Sequence, residues 1–242
     1  MYKLEEMELF KKPIAHRGLW NGELPENSMG AFKNAAEKGY PIELDIRLSL
    51  DGQIVVFHDG NLKRMTGSPM NVEDLTYNEL KGLKLVGTGY GIPLLREVLE
   101  EIDGKVPLLI EIKDSPQNVK LCEAFLKLME KYKGEFAAQS FNPYILRYLY
   151  ENCPVMIRGQ LATFDYGNLS KFKAFLLKRL VFNRTAKPHF VSYNAENLPN
   201  KYVDGCKRKN MAVLAWTVRS QEEYDRLKGY VDNIIFEGFI PG

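Results

Sequence analysis

The sequence is poor in three residue types that often dominate reactive sites: of its 242 residues only three are cysteine, three are histidine and two are tryptophan. The cysteines, Cys122, Cys153 and Cys206, are odd in number and widely separated. This spacing argues against a disulfide framework and against a thiolate zinc site. We therefore expect free thiols in a reducing compartment.

An excess of charge of one sign is also missing, since 33 Lys and Arg residues face 31 Asp and Glu residues, for a net charge of +2. This near balance argues against a general nucleic-acid binder, which normally carries a strong basic excess. No apolar run approaches the ~18 residues of a membrane span. The N-terminal residues lack the apolar core and cleavage site of a signal peptide, so a soluble cytoplasmic protein is expected.

The sequence does contain a regular alternation of short apolar runs with amphipathic segments. The apolar runs cover residues 13–16, 41–48, 107–113, 135–141, 155–162, 189–193, 211–218 and 233–237. Such an alternation predicts parallel βαβ units. Eight units in this length predict a (βα)8 barrel, whose usual size is ~250 residues. The alternative is a doubly wound open sheet, but its glycine fingerprint after the first strand is missing.

One interval departs from this alternation after the second run. Asp51-Gly52 lies between two strand-like segments, which predicts a hairpin, so residues 54–58 form an antiparallel extension and not a ninth barrel strand. If Asp51 and Gly52 are the central turn residues, paired positions sum to 103 and His58 lies opposite Asp45. Residues 49–92 are then a hairpin and small insertion. Because no Pro/Gly/Ser linker occurs, residues 1–242 are predicted to form one domain.

Three acidic residues occupy unusual positions in two predicted strands. Glu43 and Asp45 alternate with apolar residues, so both carboxylates point to one face of the second strand. In a parallel barrel that face is covered, and unpaired acids there are costly. Glu111, near the end of the next strand, adds a third carboxylate. A site for one divalent cation, Mg²⁺ or Ca²⁺, explains all three, whereas salt bridges or exposure are the alternative.

Two of the three histidines follow predicted strands at the end where barrel enzymes carry out their chemistry. His16 ends the first strand and His58 ends the hairpin extension, next to the acidic residues. This shared location favours an acid–base pair over two structural histidines. His189 begins a strand, at the opposite end, and is interpreted as structural.

Four further residues are candidates for contacts with a substrate. Arg17 follows His16, and a guanidinium is well suited to hold a phosphate. Lys113 follows Glu111 on the same face, where it either contacts a phosphate oxygen or pairs with an acid. Phe141 and Trp216 lie near strand ends and either line the pocket or pack in the core. The loop containing Glu26 and Asn27 could also reach this site.

A basic and aromatic stretch, residues 166–195, contains no acidic residue. Its cations are Lys171, Lys173, Lys178, Arg179, Arg184 and Lys187. Phenylalanine and leucine side chains lie between them. We favour an ordinary barrel helix with a solvated basic face over a surface that contacts anionic lipids.

These residues together resemble the glycerophosphodiester phosphodiesterase family. The matching stretches are His16-Arg17-Gly18, Pro25-Glu26-Asn27-Ser28, Glu43-Leu44-Asp45, Asp51-Gly52, Val55-Val56-Phe57-His58-Asp59, Leu62, Arg64-Met65-Thr66-Gly67, residues 92–99, Glu111-Ile112-Lys113, Ser140-Phe141 and Trp216-Thr217-Val218. In order and spacing they cover nearly the whole chain. No single tripeptide is specific, but the combination is. The sequence departs from the family at Arg219, where an Asn is usual, and at Phe236-Glu237-Gly238, where an Asp–x–Pro element is usual.

The resemblance implies a barrel with an insertion after the second strand and a divalent cation on Glu43, Asp45 and Glu111. It also implies acid–base catalysis by His16 and His58, phosphate contacts from Arg17 and Lys113, and hydrolysis to glycerol 3-phosphate and an alcohol. The expected partner is a small glycerophosphodiester. Three alternatives remain: a related phosphodiesterase acting on lysophospholipids or sphingolipids, a cation-dependent lyase or isomerase, and a non-catalytic phosphate- or lipid-binding barrel.

Overall fold

Eight parallel strands close into a barrel in a computed structural model that describes residues 4–167 and 169–242. In chain order the strands are β1 (Ile14–Ala15), β2 (Ile42–Leu48), β3 (Ile54–Val56), β4 (Leu108–Ile112), β5 (Phe136–Ser140), β6 (Arg158–Ala162), β7 (Phe190–Asn194), β8 (Ala212–Val218) and β9 (Asn233–Phe236). All but β3 belong to the barrel. Closure comes from β1, which pairs with β9 on one side and β2 on the other. The predicted (βα)8 barrel is therefore confirmed, and the open sheet is excluded.

Helices connect the strands and pack around the barrel. They are α1 (Met29–Glu37), α2 (Lys63–Thr66), α3 (Tyr77–Leu80), α4 (Leu95–Ile102), α5 (Asn118–Met129), α6 (Pro143–Asn152), α7 (Lys171–Lys178), α8 (Asn183–Ala186), α9 (Lys201–Lys207) and α10 (Gln221–Leu227). Short polar caps start several of them: the Ser28 hydroxyl, for example, accepts a hydrogen bond from the Ala31 amide at the start of α1. Within the described ranges, no helix is long and apolar enough to cross a bilayer.

The N-terminal end of the barrel is closed by the chain's own first turns. Two short 3-10 helices, Leu4–Glu6 and Glu8–Phe10, lie across this end, and Leu9 packs with residues inside the barrel such as Leu109 and Leu214. The amides of Glu8 and Leu9 donate to the Glu135 carboxylate at 3.1 and 2.7 Å. These two 3-10 helices form a plug, which burial of the apolar Leu9 side chain and capping of the two amides hold in place. The opposite end of the barrel is free to carry a site.

The hairpin between β2 and β3 differs from the prediction by one residue. Its turn has three residues, 50–52, because the Ser49 amide donates to the Gln53 carbonyl at 2.9 Å. Gly52 has φ +78°, a left-handed value that such three-residue turns require. Paired positions sum to 102, as in Ile46 opposite Val56, so the predicted placement of His58 directly opposite Asp45 is wrong. The error is small, because the Phe57 amide still donates to the Asp45 carbonyl at 2.9 Å.

Residues between β3 and β4 form a compact excursion at the carboxyl end of the barrel strands. It contains α2, a 3-10 helix (Val72–Asp74), α3 and the start of α4. A separate apolar cluster, which includes Phe57, Leu62, Met65 and Val72, holds it together. This arrangement gives His58 and its neighbours a rigid support.

Candidate active site

The carboxyl ends of neighbouring strands bring the three predicted acidic residues together. Glu43 and Asp45 lie in β2, and Glu111 lies in β4, where it is in register with Asp45. One carboxylate oxygen of each residue lies within 4.8 Å of the others. All three side chains are buried, with Asp45 fully enclosed at 0% exposure. This acidic cluster (Glu43, Asp45 and Glu111) could hold a metal ion.

Two cations lie against the acidic cluster. The Lys113 ammonium is 2.6 Å from Oε1 of Glu111 and 2.8 Å from Oδ1 of Asp45. The Arg17 guanidinium is 3.4 Å from Oδ2 of Asp45, and the Arg17 amide donates to Oε2 of Glu43 at 3.1 Å. Three carboxylates thus share two cationic side chains. If all three carboxylates were ionised, one negative charge of this group would be uncompensated.

The charge imbalance is visible in the proton affinities of the acids. Burial, followed by repulsion from Asp45 and Glu111, raises the pKa of Glu43 well above its usual value. Burial also acts to raise the pKa of Asp45, but Lys113, His58 and Arg17 outweigh it and hold that pKa below its usual value. Glu43 is therefore the carboxyl that is hardest to ionise without another cation.

The side chains present fit a divalent cation. Oδ1 of Asp45 is buried and accepts no hydrogen bond of suitable geometry within the described residues, although the Lys113 ammonium is close. Carboxylate oxygens are the ligands that Mg²⁺ and Ca²⁺ prefer. A cation at this point would satisfy Oδ1 and offset the repulsion that raises the pKa of Glu43.

The loop after β1 bends back tightly to support the acidic cluster. Asn27 donates from Nδ2 to Oδ2 of Asp45 at 2.8 Å. Arg17 and Asn27 both have left-handed backbone angles, φ 58° and 55°, which are uncommon for residues other than glycine. A side chain at Gly18 would come within 2.9 Å of the Ala31 backbone. The close turn therefore needs a glycine beside Arg17.

Arg17 and Arg64 share one acidic residue of this loop. Oε1 of Glu26 lies 2.6 Å from NH1 of Arg17 and 2.6 Å from NH2 of Arg64. Glu26 thereby fixes the Arg17 guanidinium beside Asp45 and connects the loop to the excursion after β3. The structure confirms that both Glu26 and Asn27 reach the site.

Each of the two predicted histidines has a carboxylate on its Nδ1 atom. Nδ1 of His16 is 2.5 Å from Oε2 of Glu237, and Nδ1 of His58 is 2.6 Å from Oδ1 of Asp59. A carboxylate partner favours a proton on Nδ1 and, in a neutral ring, leaves Nε2 as the nitrogen with the free lone pair. Burial lowers the pKa of His16 although the bond to Glu237 acts to raise it, so the neutral ring is favoured.

A cavity of about 1050 Å³ opens beside the acidic cluster. Glu111, Lys113, His58 and Phe141 line one part of it, and Arg47, Asp59, Gly60, Asn61, Lys63, Arg64 and Asp114 line the rest. Trp216 packs edge-on against Phe141, with ring centroids 5.3 Å apart, and its indole N–H donates to the Ser192 carbonyl at 2.9 Å. Phe141 is thus the aromatic residue of the cavity lining, and Trp216 packs against it without lining the cavity itself.

Sequence reasoning overlooked three contributors. Glu237 holds His16, Asp59 holds His58, and Arg47 donates from Nε to the His58 carbonyl at 2.9 Å. Asp59 could have been found from its adjacency to His58, and Glu237 from its position directly after the last barrel strand. His189 lies before β7, at the plugged end of the barrel, where its Nδ1 accepts from the Arg158 amide.

The sequence is similar to those of known phosphodiesterases. A sequence model of the glycerophosphoryl diester phosphodiesterase family matches residues 16–237. A glycerophosphodiester phosphodiesterase from Caldanaerobacter subterraneus is 33% identical over 239 residues, which cover 92% of each chain. A lysophospholipase D from Rattus norvegicus is 37% identical over 148 residues, which cover 56% of this chain and 46% of that protein.

Solved structures share the fold. A glycerophosphodiester phosphodiesterase from Thermotoga maritima superposes with a TM-score of 0.72 at 27% identity, covering 93% of this chain and 94% of that one. A phosphodiesterase from Oleispira antarctica, solved with the product sn-glycerol-3-phosphate, gives a TM-score of 0.79 at 23% identity over 93% and 92% of the two chains. The chain is a phosphoric diester hydrolase and belongs to the glycerophosphoryl diester phosphodiesterase family.

Proposed function

We propose that this enzyme hydrolyses glycerophosphodiesters to glycerol 3-phosphate and an alcohol, with one divalent cation, Mg²⁺ or Ca²⁺, on Glu43, Asp45 and Glu111. The observation that carries the proposal is the acidic cluster flanked by two histidines, each held by a carboxylate on Nδ1. A lyase or isomerase site would need neither two such histidines nor two phosphate-binding cations.

The acidic cluster and its two cations would bind the phosphodiester. A divalent cation, when bound, supplies positive charge for a phosphoryl oxygen. Arg17 presents a planar guanidinium that Glu26 already orients, so little side-chain freedom is lost when it contacts a second oxygen. Lys113 lines the cavity and carries a point charge towards the same group. The divalent cation, Arg17 and Lys113 would together stabilise the negative charge that develops on the phosphoryl oxygens in the transition state.

The two histidines would divide the proton transfers. His16 is buried and its lowered pKa favours the neutral ring, so Nε2 accepts the proton of the attacking hydroxyl. That hydroxyl belongs to water or to the substrate's own glycerol. His58 lines the cavity on the hairpin extension, where its imidazolium form, protonated on both nitrogens, gives the Nε2 proton to the leaving alkoxide. Glu237 and Asp59 each hold a proton on Nδ1, so Nε2 is the nitrogen that accepts the proton in His16 and donates it in His58.

The leaving alcohol would lie against the aromatic wall. Phe141 lines the cavity, and Trp216 supports it from behind. Such a wall accepts an alkyl or quaternary ammonium group as readily as a polar headgroup. We therefore propose that choline and ethanolamine esters are substrates.

Lysophospholipids are a second candidate substrate class. Two observations favour them: the local similarity to a rat lysophospholipase D, and the exposed side chains of Phe164 and Leu169, on the loop whose Tyr166 ring lies 6.2 Å from that of Phe141. Such side chains could shield an acyl chain while the same site cuts the phosphodiester.

A substrate panel tests the proposal. Purified enzyme is incubated with glycerophosphocholine, glycerophosphoethanolamine, glycerophosphoglycerol and lysophosphatidylcholine, and released glycerol 3-phosphate and free choline are measured. We expect glycerol 3-phosphate from the first three, and none from a His16→Ala control. Release of phosphocholine instead of choline would contradict the proposed bond cleavage, and turnover of lysophosphatidylcholine alone would favour the second candidate.

A further inference from the structure

Helix α7 differs from the other barrel helices because none of its eight residues is buried. Helix α5, by contrast, buries Leu121, Cys122, Phe125 and Met129. In α7 the two phenylalanines are turned outward: Phe172 is 70% exposed and Phe175 is 39% exposed. The solvated basic face that the sequence predicts is present, since Lys171 and Lys173 are exposed, but the two phenylalanines are exposed as well. Exposure of aromatic rings of this size to water is unfavourable, so exposed rings often mark a surface that a partner covers.

Cations surround these exposed rings. Residues 166–195 carry six Lys and Arg residues and no acid. The preceding acid, Asp165, has Oδ1 hydrogen-bonded to the Gly167 amide at 2.8 Å. Even with Asp165 counted, the cations of this stretch outnumber its acids six to one, so the stretch suits an anionic partner.

The cations are interleaved with the rings. The Arg179 guanidinium lies 3.7 Å from the ring centroid of Phe175 and 5.7 Å from that of Tyr202. The Lys178 ammonium lies 5.8 Å from the ring centroid of Phe164 and 6.0 Å from that of Phe175. Phe164, on the loop after β6, and Phe175, on α7, thus belong to one continuous patch.

This patch adjoins the cavity. The ring of Tyr166, on the same loop, is 6.2 Å from the ring of Phe141, which lines the cavity. Phe164 and Leu169, on either side of Tyr166, are each 45% exposed. The loop lies at the carboxyl end of β6, the end of the barrel that carries the site. A flat partner seated on the patch would lie beside the cavity mouth.

We propose that Phe164, Leu169, Phe172 and Phe175, with Lys171 and Lys173, form a docking surface for anionic lipid bilayers. Aromatic and leucine side chains enter the headgroup boundary, while lysines pair with lipid phosphates. A nucleic acid fits less well, because four apolar side chains of the patch are exposed and the whole chain carries a net charge of only +2. The proposal goes beyond the proposed function and does not depend on it.

Vesicle co-sedimentation tests the docking surface. The probes are phosphatidylcholine vesicles with and without 30% phosphatidylglycerol, at low and high salt, and a 20-nucleotide oligouridine as the competing polyanion. The variants are Phe172→Ser/Phe175→Ser and Lys171→Glu/Lys173→Glu. The matched control is Lys131→Glu/Lys133→Glu, which makes the same charge change near the opposite end of the barrel.

We expect the wild type to bind the anionic vesicles at least about tenfold more tightly than the neutral ones, and high salt to weaken this binding. Each patch variant should lose about tenfold or more in vesicle affinity, while the control variant keeps it. All variants should keep the wild-type circular-dichroism spectrum and melting temperature, which shows that they are folded. Equal binding to both vesicle types, equal losses in the control, or tighter binding to the oligouridine would overturn the proposal.

Discussion

Nδ1 of His16 lies 2.5 Å from Oε2 of Glu237, although the two residues are 221 positions apart in the chain. They meet because β1 and β9 are the strands that close the barrel, so the residues following them are neighbours. Oε1 of Glu237 also accepts from Nε of Arg219 at 2.8 Å. The carboxylate is thus fixed on both oxygens and holds the His16 ring in one orientation.

Replacing Glu237 by glutamine should lower kcat by roughly tenfold to a thousandfold with little change in KM, because an amide can present its NH2 group to Nδ1 and favour the wrong tautomer. The Glu237 bond acts to raise the pKa of His16, so its loss should move the acid limb of the pH–rate profile to lower pH. The control is Glu222→Gln, an exposed neighbour on α10. An unchanged pH profile would mean that Glu237 has only a structural role.

The sequence predicts some, but not all, of the residues that meet at the carboxyl end of the barrel strands. Alternation of acids with apolar residues placed Glu43 and Asp45 on one face, because strand geometry alone determines that relationship. The Glu237–His16 contact was not predictable in this way, since it depends on closure between the first and last strands. The hairpin register was wrong by one residue, because Leu50 enters the turn and the sequence pattern does not count turn residues.

The same limit applies to α7. Its pattern of phenylalanines, leucines and lysines is typical of an amphipathic helix, and the sequence cannot say whether the apolar side faces a core or solvent. Only the structure shows that α7 lies on the barrel without burying a residue. The sequence pattern predicts the helix, whereas tertiary packing determines whether its apolar side chains are buried.

Substitution of each histidine should separate the acid from the base. A choline leaving group needs a proton, whereas a nitrophenolate does not. His58→Ala should therefore lose about 10²–10⁴-fold on glycerophosphocholine and much less on an aryl phosphodiester, while His16→Ala should lose activity on both. Steady-state rates on the two substrates measure this contrast. Equal losses for both variants on both substrates would assign the histidines an orienting role instead.

Arg17→Lys should reduce kcat/KM by roughly tenfold to a hundredfold, because lysine keeps the charge and loses the planar fork. Lysine also cannot contact Glu26 and a phosphate oxygen in the same geometry. Arg147→Lys, at an exposed ion pair on α6, is the matched control and should keep full activity. Wild-type kinetics for both Arg17→Lys and Lys113→Ala would remove these residues from the site.

Glu43→Gln should stabilise the metal-free enzyme. The raised pKa of Glu43 means that the folded state holds a proton more tightly than the unfolded state, so ionisation costs stability as pH rises above the usual value for glutamate. Glutamine removes this cost, and its advantage in melting temperature should be larger at pH 8 than at pH 5. Glu100→Gln, on the exposed face of α4, should change nothing. A metal-free variant less stable than the wild type at pH 8 would contradict the assigned electrostatics.

The most direct test is glycerol 3-phosphate release from glycerophosphocholine after chelation, followed by titration with Mg²⁺ or Ca²⁺, for the wild type and Glu43→Gln. We expect that chelation abolishes wild-type activity, that one of the two ions restores it, and that the variant recovers little at the same concentrations. Full wild-type activity in excess chelator would contradict a metal site on Glu43, Asp45 and Glu111. Equal recovery by Glu43→Gln would contradict it as well.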